Sequence, residues 1–559
     1  MPEIDIIVYA SRPFTPNADE LIRRASIVEL PGHGKGLAGW RVRAGSSRVC
    51  VGAALDKCAM IGKLRERVRS SKQRQESEDD MRQGIKRREF LQIAAAGSAL
   101  GVAGPRMVTF AASAGSSRPL SPGCRKSRVK VARLYMGSAE GLWPKPHLNF
   151  EEEVHSYQAE FEKMKDQFSD VEFPVDQLVT SPAQVAAIKD KLASVDGILV
   201  IHLSLGVRPI LMEILGAGRP TMIFAVPYSG HEWAEFGALQ REEAGAKLDC
   251  LLTSDRRQLA TAIRPFRAMH HLREAKILDL TTEPPTGYLS EIRNKFGTEV
   301  KPIDLPRVRA AYDAVSDSEA RAEADRWIRG AVKVVEPSRE DIVKSCRLAL
   351  AFEKLLEEEG ATVMTADCYG TMWDRTIKLP AYPCLGFTRL NNLGWGGICE
   401  SDLRSAMTHI IFQGLAGKPG FISDPTMDES RNSIILAHCL GTTKMDGPDQ
   451  PAAPYKLRTV MERQEGVVPQ VTMRVGQKVT QALLVGTDRL LYFTGEIMDA
   501  PDVDRGCRTK ITVKLDGDAE KLWKNWSNGL HRVTAYGDLT KDLARFCRFE
   551  KIQMVNEAA

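Results

Sequence analysis

Two carboxylates in the densest part of the chain, residues 390–444, stand where acid–base or metal chemistry could occur. Glu400 directly precedes a helical period in which Leu403, Ala406, Met407, Ile410, Ile411 and Leu415 share one face, while Asp402, Ser405 and His409 fall elsewhere. Asp424 ends a short apolar run over 420–423, just ahead of Pro425. In an open α/β sheet, helix N-termini and strand C-termini line the ligand crevice. Two carboxylates brought together there repel, so one takes up a proton unless a cation sits between them. A carboxylate-rich site favours a hard divalent ion, Mn²⁺ or Mg²⁺. The same spacing admits a purely structural reading: Glu400 complementing a helix dipole, and Asp424 capping the turn into Pro425.

Other chemistries find little support. Gly394, Gly396 and Gly397 match neither a dinucleotide nor a P-loop fingerprint and read as backbone turns. No G-x-S-x-G is present, and no strand–G-x-G-x-x-G–helix unit lies near Val129. Eleven cysteines occur, Cys50 and Cys58 early and nine scattered later, without C-x-x-C or zinc spacing. That argues against a disulfide framework. Cys124, after Leu120-Ser121-Pro122-Gly123, is a poor lipoprotein site because of the proline.

The elements that must position the two carboxylates follow from periodicity. Strands are expected over 129–136, 171–179, 198–203, 221–226 and 248–253, alternating with helices over 150–168, 182–193, 207–215 and 234–243. That rhythm means a parallel sheet with helices on both faces. A second such unit is expected from about 270, with a strand over 275–279, helices over 307–314, 318–328 and 339–359, and a strand over 361–366. Beyond Gly466 the pattern turns to strands at 471–475, 479–485, 489–494, 508–513 and 532–536, punctuated by glycines. These predict an antiparallel sheet or small barrel. The expected fold is therefore α/β, two Rossmann-like or flavodoxin-like parallel-sheet domains followed by a β-barrel-like C-terminal domain. The expected boundaries are 128–280, 281–440 and 441–559.

The N-terminal segment reads differently. Lys86-Arg87-Arg88-Glu89-Phe90-Leu91 begins a twin-arginine pattern, followed by an apolar small-residue run over 93–103 and the small-x-small site Ala112-Ser113-Ala114. Residues 81–114 are therefore expected to be an export signal, with 115–127 a linker and the mature protein periplasmic or otherwise exported. Met81 reads as the start, and residues 1–80, ending in a charge run over 63–80, as a disordered, non-native extension. Residues 1–114 carry 19 Lys and Arg against 12 Asp and Glu, so the formal charge of +5 resides in the leader and the body is near neutral. Such a body has no electrostatic footprint for nucleic acid. No uninterrupted apolar stretch is long enough for a membrane span.

Cys399-Glu400-Ser401-Asp402, the Gly417-Lys418-Pro419 turn, Ser423-Asp424-Pro425 and Leu436-Ala437-His438-Cys439 together resemble the L-fucose/L-arabinose isomerase family. Asp367-Cys368-Tyr369-Gly370, residues 390–394, Leu530-His531-Arg532-Val533 and Tyr536-Gly537-Asp538 are similar to further segments of it. The resemblance covers about residues 128–550 and implies a divalent metal, Mn²⁺ or Mg²⁺, held by Glu400, Asp424 and His531, with His438 beside it against the substrate. It implies interconversion of an aldose and a ketose through a cis-enediol, Glu400 and Asp424 handling the protons. It also implies a monosaccharide substrate and a homo-oligomer, to which the leader adds the twin-arginine export machinery as a partner. Three other readings share some features: an exported sugar-binding protein, a nicotinamide-dependent sugar oxidoreductase, and a diverged homologue without isomerase activity. A binding protein needs no meeting of His531 with Glu400 and Asp424, and the oxidoreductase needs a glycine fingerprint.

Overall fold

The computed structural model describes residues 127–230, 233–372 and 378–559, together with the backbone of three short strands nearer the N-terminus. Those strands, Ser26–Glu29, Gly39–Ala44 and Ser47–Gly52, pair as an antiparallel meander. These strands lie within 1–80, the span expected to be disordered, and ahead of the charge run at 63–80 on which that expectation rested. The twin-arginine signal at 81–114, Cys124 and all but the last residue of the linker lie outside the described residues.

The first sheet of the main unit has five parallel strands, in the order Val171–Val179, Val129–Met136, Gly197–His202, Thr221–Ala225, Leu248–Leu252. Along the Val129–Met136 strand, Val129, Val131 and Tyr135 enter one apolar cluster while Ala132, Leu134 and Met136 enter another. Alternate residues thus reach two covered faces, which is why apolar residues occupy both odd and even positions of the strand. A second parallel sheet has the order Glu299–Pro302, Lys276–Leu280, Val363–Ala366, Gly396–Cys399. It is backed by the long helix Arg339–Glu359, opened by a Ser338–Asp341 capping box and closed by left-handed Gly360.

The third sheet closes on itself. Lys478–Val485, Arg532–Tyr536, Phe421–Asp428, Ser433–His438, Thr509–Leu515 and Arg489–Asp499 form a six-stranded antiparallel barrel, the last strand pairing back onto the first. Gln553–Asn556 adds in parallel outside the ring, against Arg489–Asp499. Two expectations are corrected here. The strands Phe421–Asp428 and Ser433–His438, on the α/β side of the expected boundary at 440, belong to the barrel. A short apolar run does not distinguish a buried parallel strand from a barrel strand by periodicity. The strand expected at 471–475 is Val468–Val471, which pairs with Tyr455–Arg458 in a small separate sheet. No helix among the described residues is long and apolar enough to cross a membrane.

Candidate functional site

Glu400 leaves the C-terminal end of the parallel strand Gly396–Cys399. It and Ser401 both adopt left-handed backbone, φ 62° and 51°. That conformation costs non-glycine residues roughly 1 kcal/mol or more each. The reversal is held by Ser401 N–H donating to Ala366 O at 3.2 Å and Asp402 N–H donating to Cys399 O at 3.2 Å. The strand itself sits where it does because Gly397 has no side chain: a Cβ there would lie 2.4 Å from the Phe387 backbone of the helix Cys384–Asn392. Of the three glycines read as turns, only Gly394 is one, with φ 82°; Gly396 and Gly397 are strand residues in close contact with neighbours.

Register puts further carboxylates on this edge. Ala366 pairs with Cys399, so Asp367 emerges beside Glu400, and Asp279 is the last residue but one of the adjoining strand, which ends at Leu280. Burial pushes the Asp279 carboxyl up to about 6, opposed by a hydrogen bond from Ser401 and reinforced by the charge of Asp367. Glu400 is pushed up to about 7, first by burial; protonated His531 opposes this, and the charges of Asp424, Asp402 and Asp367 add to it.

Asp424 reaches the site from the barrel. It does not end a strand of the parallel sheet, as the spacing suggested, but lies inside Phe421–Asp428, opposite Ala437. On its other side Ser423 pairs with Arg532, so the antiparallel register continued by one step sets Asp424 across from His531. His531 Nε2 lies 3.3 Å from Asp424 Oδ1 and 3.5 Å from Glu400 Oε2. Its other nitrogen, Nδ1, donates to Asp402 Oδ2 at 3.1 Å. Asp402 in turn is the N-cap of the helix Leu403–Ala416, accepting from the backbone N–H of Arg404 and Ser405 and from the Ser405 hydroxyl at 2.6 Å. Burial works against a charged His531, but the Asp402 hydrogen bond and the charges of Glu400, Asp402 and Asp424 outweigh it and raise the imidazole above its ordinary range. Burial raises Asp424 as well, with His531 opposing.

His438, expected beside the site, ends the strand Ser433–His438 with its Nε2 3.9 Å from Glu400 Oε1. Its ring centroid is 5.3 Å from that of His531, tilted by 59°. Burial, and then the nearby His531, hold it neutral by lowering its pKa to about 3. The four residues singled out from the sequence therefore meet in one place, from two sheets and three separated segments. Sequence reasoning missed Asp402, whose cap position gave no sign that its carboxylate also orients a histidine. It missed Asp279 altogether and took Asp367 and Tyr369 only as parts of a motif. Tyr369, half exposed, is raised by burial and by the charges of Glu400 and Asp424, so it borders the site.

The donor set suits a divalent cation. Glu400, His438 and His531 each offer a ligand atom, all within 4.8 Å of one another. His531 Nε2 and Asp424 Oδ1 are buried without a hydrogen-bond partner. The two atoms lie 3.3 Å apart as an ion pair without hydrogen-bond geometry, and buried polar atoms left so are better satisfied when an ion or substrate completes them. Two carboxylates and imidazole nitrogen are ligands that Mn²⁺ and Mg²⁺ accept.

No family model matches the chain. A sulfoquinovose isomerase from Clostridium sp. (strain MSTE9) is 26% identical over 276 residues, covering 45% of this chain and 57% of that protein. The match thus spans little more than half the length of that relative.

Proposed function

We propose that this protein is a metal-dependent aldose–ketose isomerase of the L-fucose/L-arabinose isomerase type. The observation that carries the reading is the convergence of Glu400 Oε2 and Asp424 Oδ1 on Nε2 of His531, at 3.5 and 3.3 Å. A sugar-binding protein has no need of that meeting. The similarity to a sulfoquinovose isomerase supports the same reaction class. Glu400, Asp424 and His531 would hold the ion, with neutral His438 beside Glu400. A bound Mn²⁺ or Mg²⁺ supplies Lewis-acid polarisation of the sugar carbonyl.

The chain's own groups carry the protons. Glu400, raised to about 7, can both accept and return a proton near neutral pH. We assign it the proton that leaves C2 of the open-chain aldose and returns at C1 after the enediol. Asp424 Oδ1 moves the hydroxyl proton from O2 to O1, which completes the ketose without any external oxidant. Asp402 keeps the Nδ1 proton of His531 in place, so that Nε2 is the nitrogen that would lose its proton and offer a lone pair when an ion binds. The left-handed backbone at Glu400 aims its carboxylate off the sheet edge toward the barrel.

The experiment is metal analysis of the purified protein coupled to a screen of aldoses and ketoses that includes L-fucose, L-arabinose and sulfoquinovose. Conversion that stops on chelation and returns with Mn²⁺ supports the reading. Full turnover in chelated protein overturns the metal, and tight metal binding without conversion of any sugar overturns the reaction. Export through the twin-arginine route and homo-oligomer formation belong to the same proposal. Changing Arg87 and Arg88 to Lys should hold the protein in the cytoplasm, and light scattering should find more than one chain per particle.

A further inference from the structure

Beside the sugar site lies a cluster of different chemistry. Cys439 Sγ, Cys507 Sγ and a Glu462 carboxylate oxygen all lie within 4.8 Å of one another. The Cys507 thiol donates to Glu462 Oε1 at 3.4 Å. Cysteines were scattered in the sequence, 68 residues apart in this case, with none of the spacings that mark a metal site. The barrel brings them together: Cys439 follows the strand Ser433–His438, Cys507 precedes Thr509–Leu515, and those strands pair with His438 opposite Thr509.

We propose that Cys439, Cys507 and Glu462 form a second cation site, selective for a thiophilic divalent ion such as Zn²⁺ and distinct from the hard-ion site at Glu400. A tetrahedral ion with metal–sulfur bonds of about 2.3 Å and metal–oxygen bonds of about 2.0–2.2 Å has a sulfur–oxygen edge of roughly 3.5 Å. The Cys507–Glu462 separation of 3.4 Å already has that length. A disulfide, by contrast, would need the two sulfurs to close to about 2.05 Å and would leave Glu462 without a part.

The three ligands are fixed by their supports. Glu462 lies in a turn closed by Val460 N–H to Glu465 O at 2.9 Å and Gln464 N–H to Val460 O at 2.8 Å. Arg508, next to Cys507, donates to Thr459 O at 2.8 Å and so ties that turn to the barrel strand. Cys439 is buried, Cys507 half-buried and Glu462 exposed, which gives an ion a path from solvent and leaves a fourth position to water. Binding would release the two thiol protons to solvent and join the strand end carrying His438 to the neighbouring turn. The expected role is therefore to clamp the barrel rim next to the sugar site.

The test uses the full chain, reduced and first saturated with Mn²⁺, then titrated with Co²⁺ and with Cd²⁺. One further equivalent should bind, with a thiolate-to-metal charge-transfer band in the near ultraviolet. Cys507→Ser, at a partly exposed position, should remove the band, and Glu462→Gln should weaken binding. Glu400→Gln should leave the band intact. Absence of the band, or its survival in Cys507→Ser, overturns the proposal. So does protein isolated two hydrogens lighter, with the two sulfurs joined, that takes up no ion after reduction.

Discussion

Nδ1 of His531 donates to Asp402 Oδ2 at 3.1 Å, linking the N-cap of one helix to the residue ahead of a barrel strand. One carboxylate thus does two jobs: it satisfies free backbone N–H groups at a helix start, and it sets which imidazole nitrogen faces Glu400 and Asp424. Carboxylate partners of metal-binding histidines typically account for 10–100-fold in affinity or activity. Because asparagine caps helices as well as aspartate does, Asp402→Asn should fold with nearly unchanged stability. Its Mn²⁺ affinity or turnover should fall by roughly 10–100-fold. An unchanged Mn²⁺ titration and unchanged turnover would show that Asp402 is only a cap.

Glu400→Gln preserves size while removing an anion and a proton carrier. Sugar conversion should fall by at least about 100-fold, the scale of a lost general base, with far-ultraviolet circular dichroism unaltered. A variant that retains more than about a tenth of the rate would move the proton transfer to another group.

The same substitution has a pH signature in chelated protein. Burial pushes the Glu400 carboxyl in the folded chain up to about 7, from an ordinary glutamate value of 4.5. A raised acid contributes stability that is present below about pH 4.5 and lost as pH rises through about 7. The loss is up to about 3 kcal/mol, since each pH unit of displacement is worth about 1.4. Metal-free wild type and Glu400→Gln should therefore melt alike near pH 4.5, and the variant should be the more stable at pH 8. Melting curves of equal separation at both pH values would contradict the raised carboxyl.

His531→Ala should act on the ion first. It leaves both carboxylates, so metal retention through gel filtration should drop, while excess Mn²⁺ restores part of the activity. Failure of any Mn²⁺ concentration to restore turnover would mean that the ring also contacts the reacting sugar.

How far the sequence reached depends on the range of the signal. The parallel strand Val129–Met136 and the helix Arg339–Glu359 were legible to the residue, because each has its own apolar pattern and, for the helix, its own caps. Phe421–Asp428 was legible as a strand but assigned to the wrong sheet, since partner choice is a long-range property that a short apolar run does not encode. At the site, Glu400 and Asp424 were singled out by position, and the resemblance added His531 and the ligand roles. Their meeting depends on the Ser423–Arg532 register and on left-handed backbone at Glu400, neither of which has a local sequence mark. Asp402 was noted only as lying off the apolar helix face and inside a motif, and nothing local marks that its carboxylate caps the helix and reaches His531.

The residue after His531 carries the last prediction. Arg532 is fully buried, with its guanidinium 3.0 and 3.2 Å from the two carboxylate oxygens of buried Glu557 and 4.2 Å over the Trp526 ring. It also donates to the carbonyls of Ser527, Gly529 and His531 itself, at 2.7, 3.3 and 3.0 Å. It therefore holds the turn that presents His531. Arg532→Met leaves Glu557 buried and unpaired, and removing one partner of such a pair costs about 3–5 kcal/mol. Removing both, in Arg532→Met with Glu557→Met, should restore much of that stability, because apolar replacements of similar volume carry no uncompensated charge. The double variant should still bind Mn²⁺ less tightly than wild type, since the carbonyl contacts that fix the His531 turn are gone. Urea midpoints and Mn²⁺ titrations separate the two effects. A double variant that recovers stability and binds Mn²⁺ at wild-type affinity would reduce Arg532 to a fold residue with no part in positioning His531.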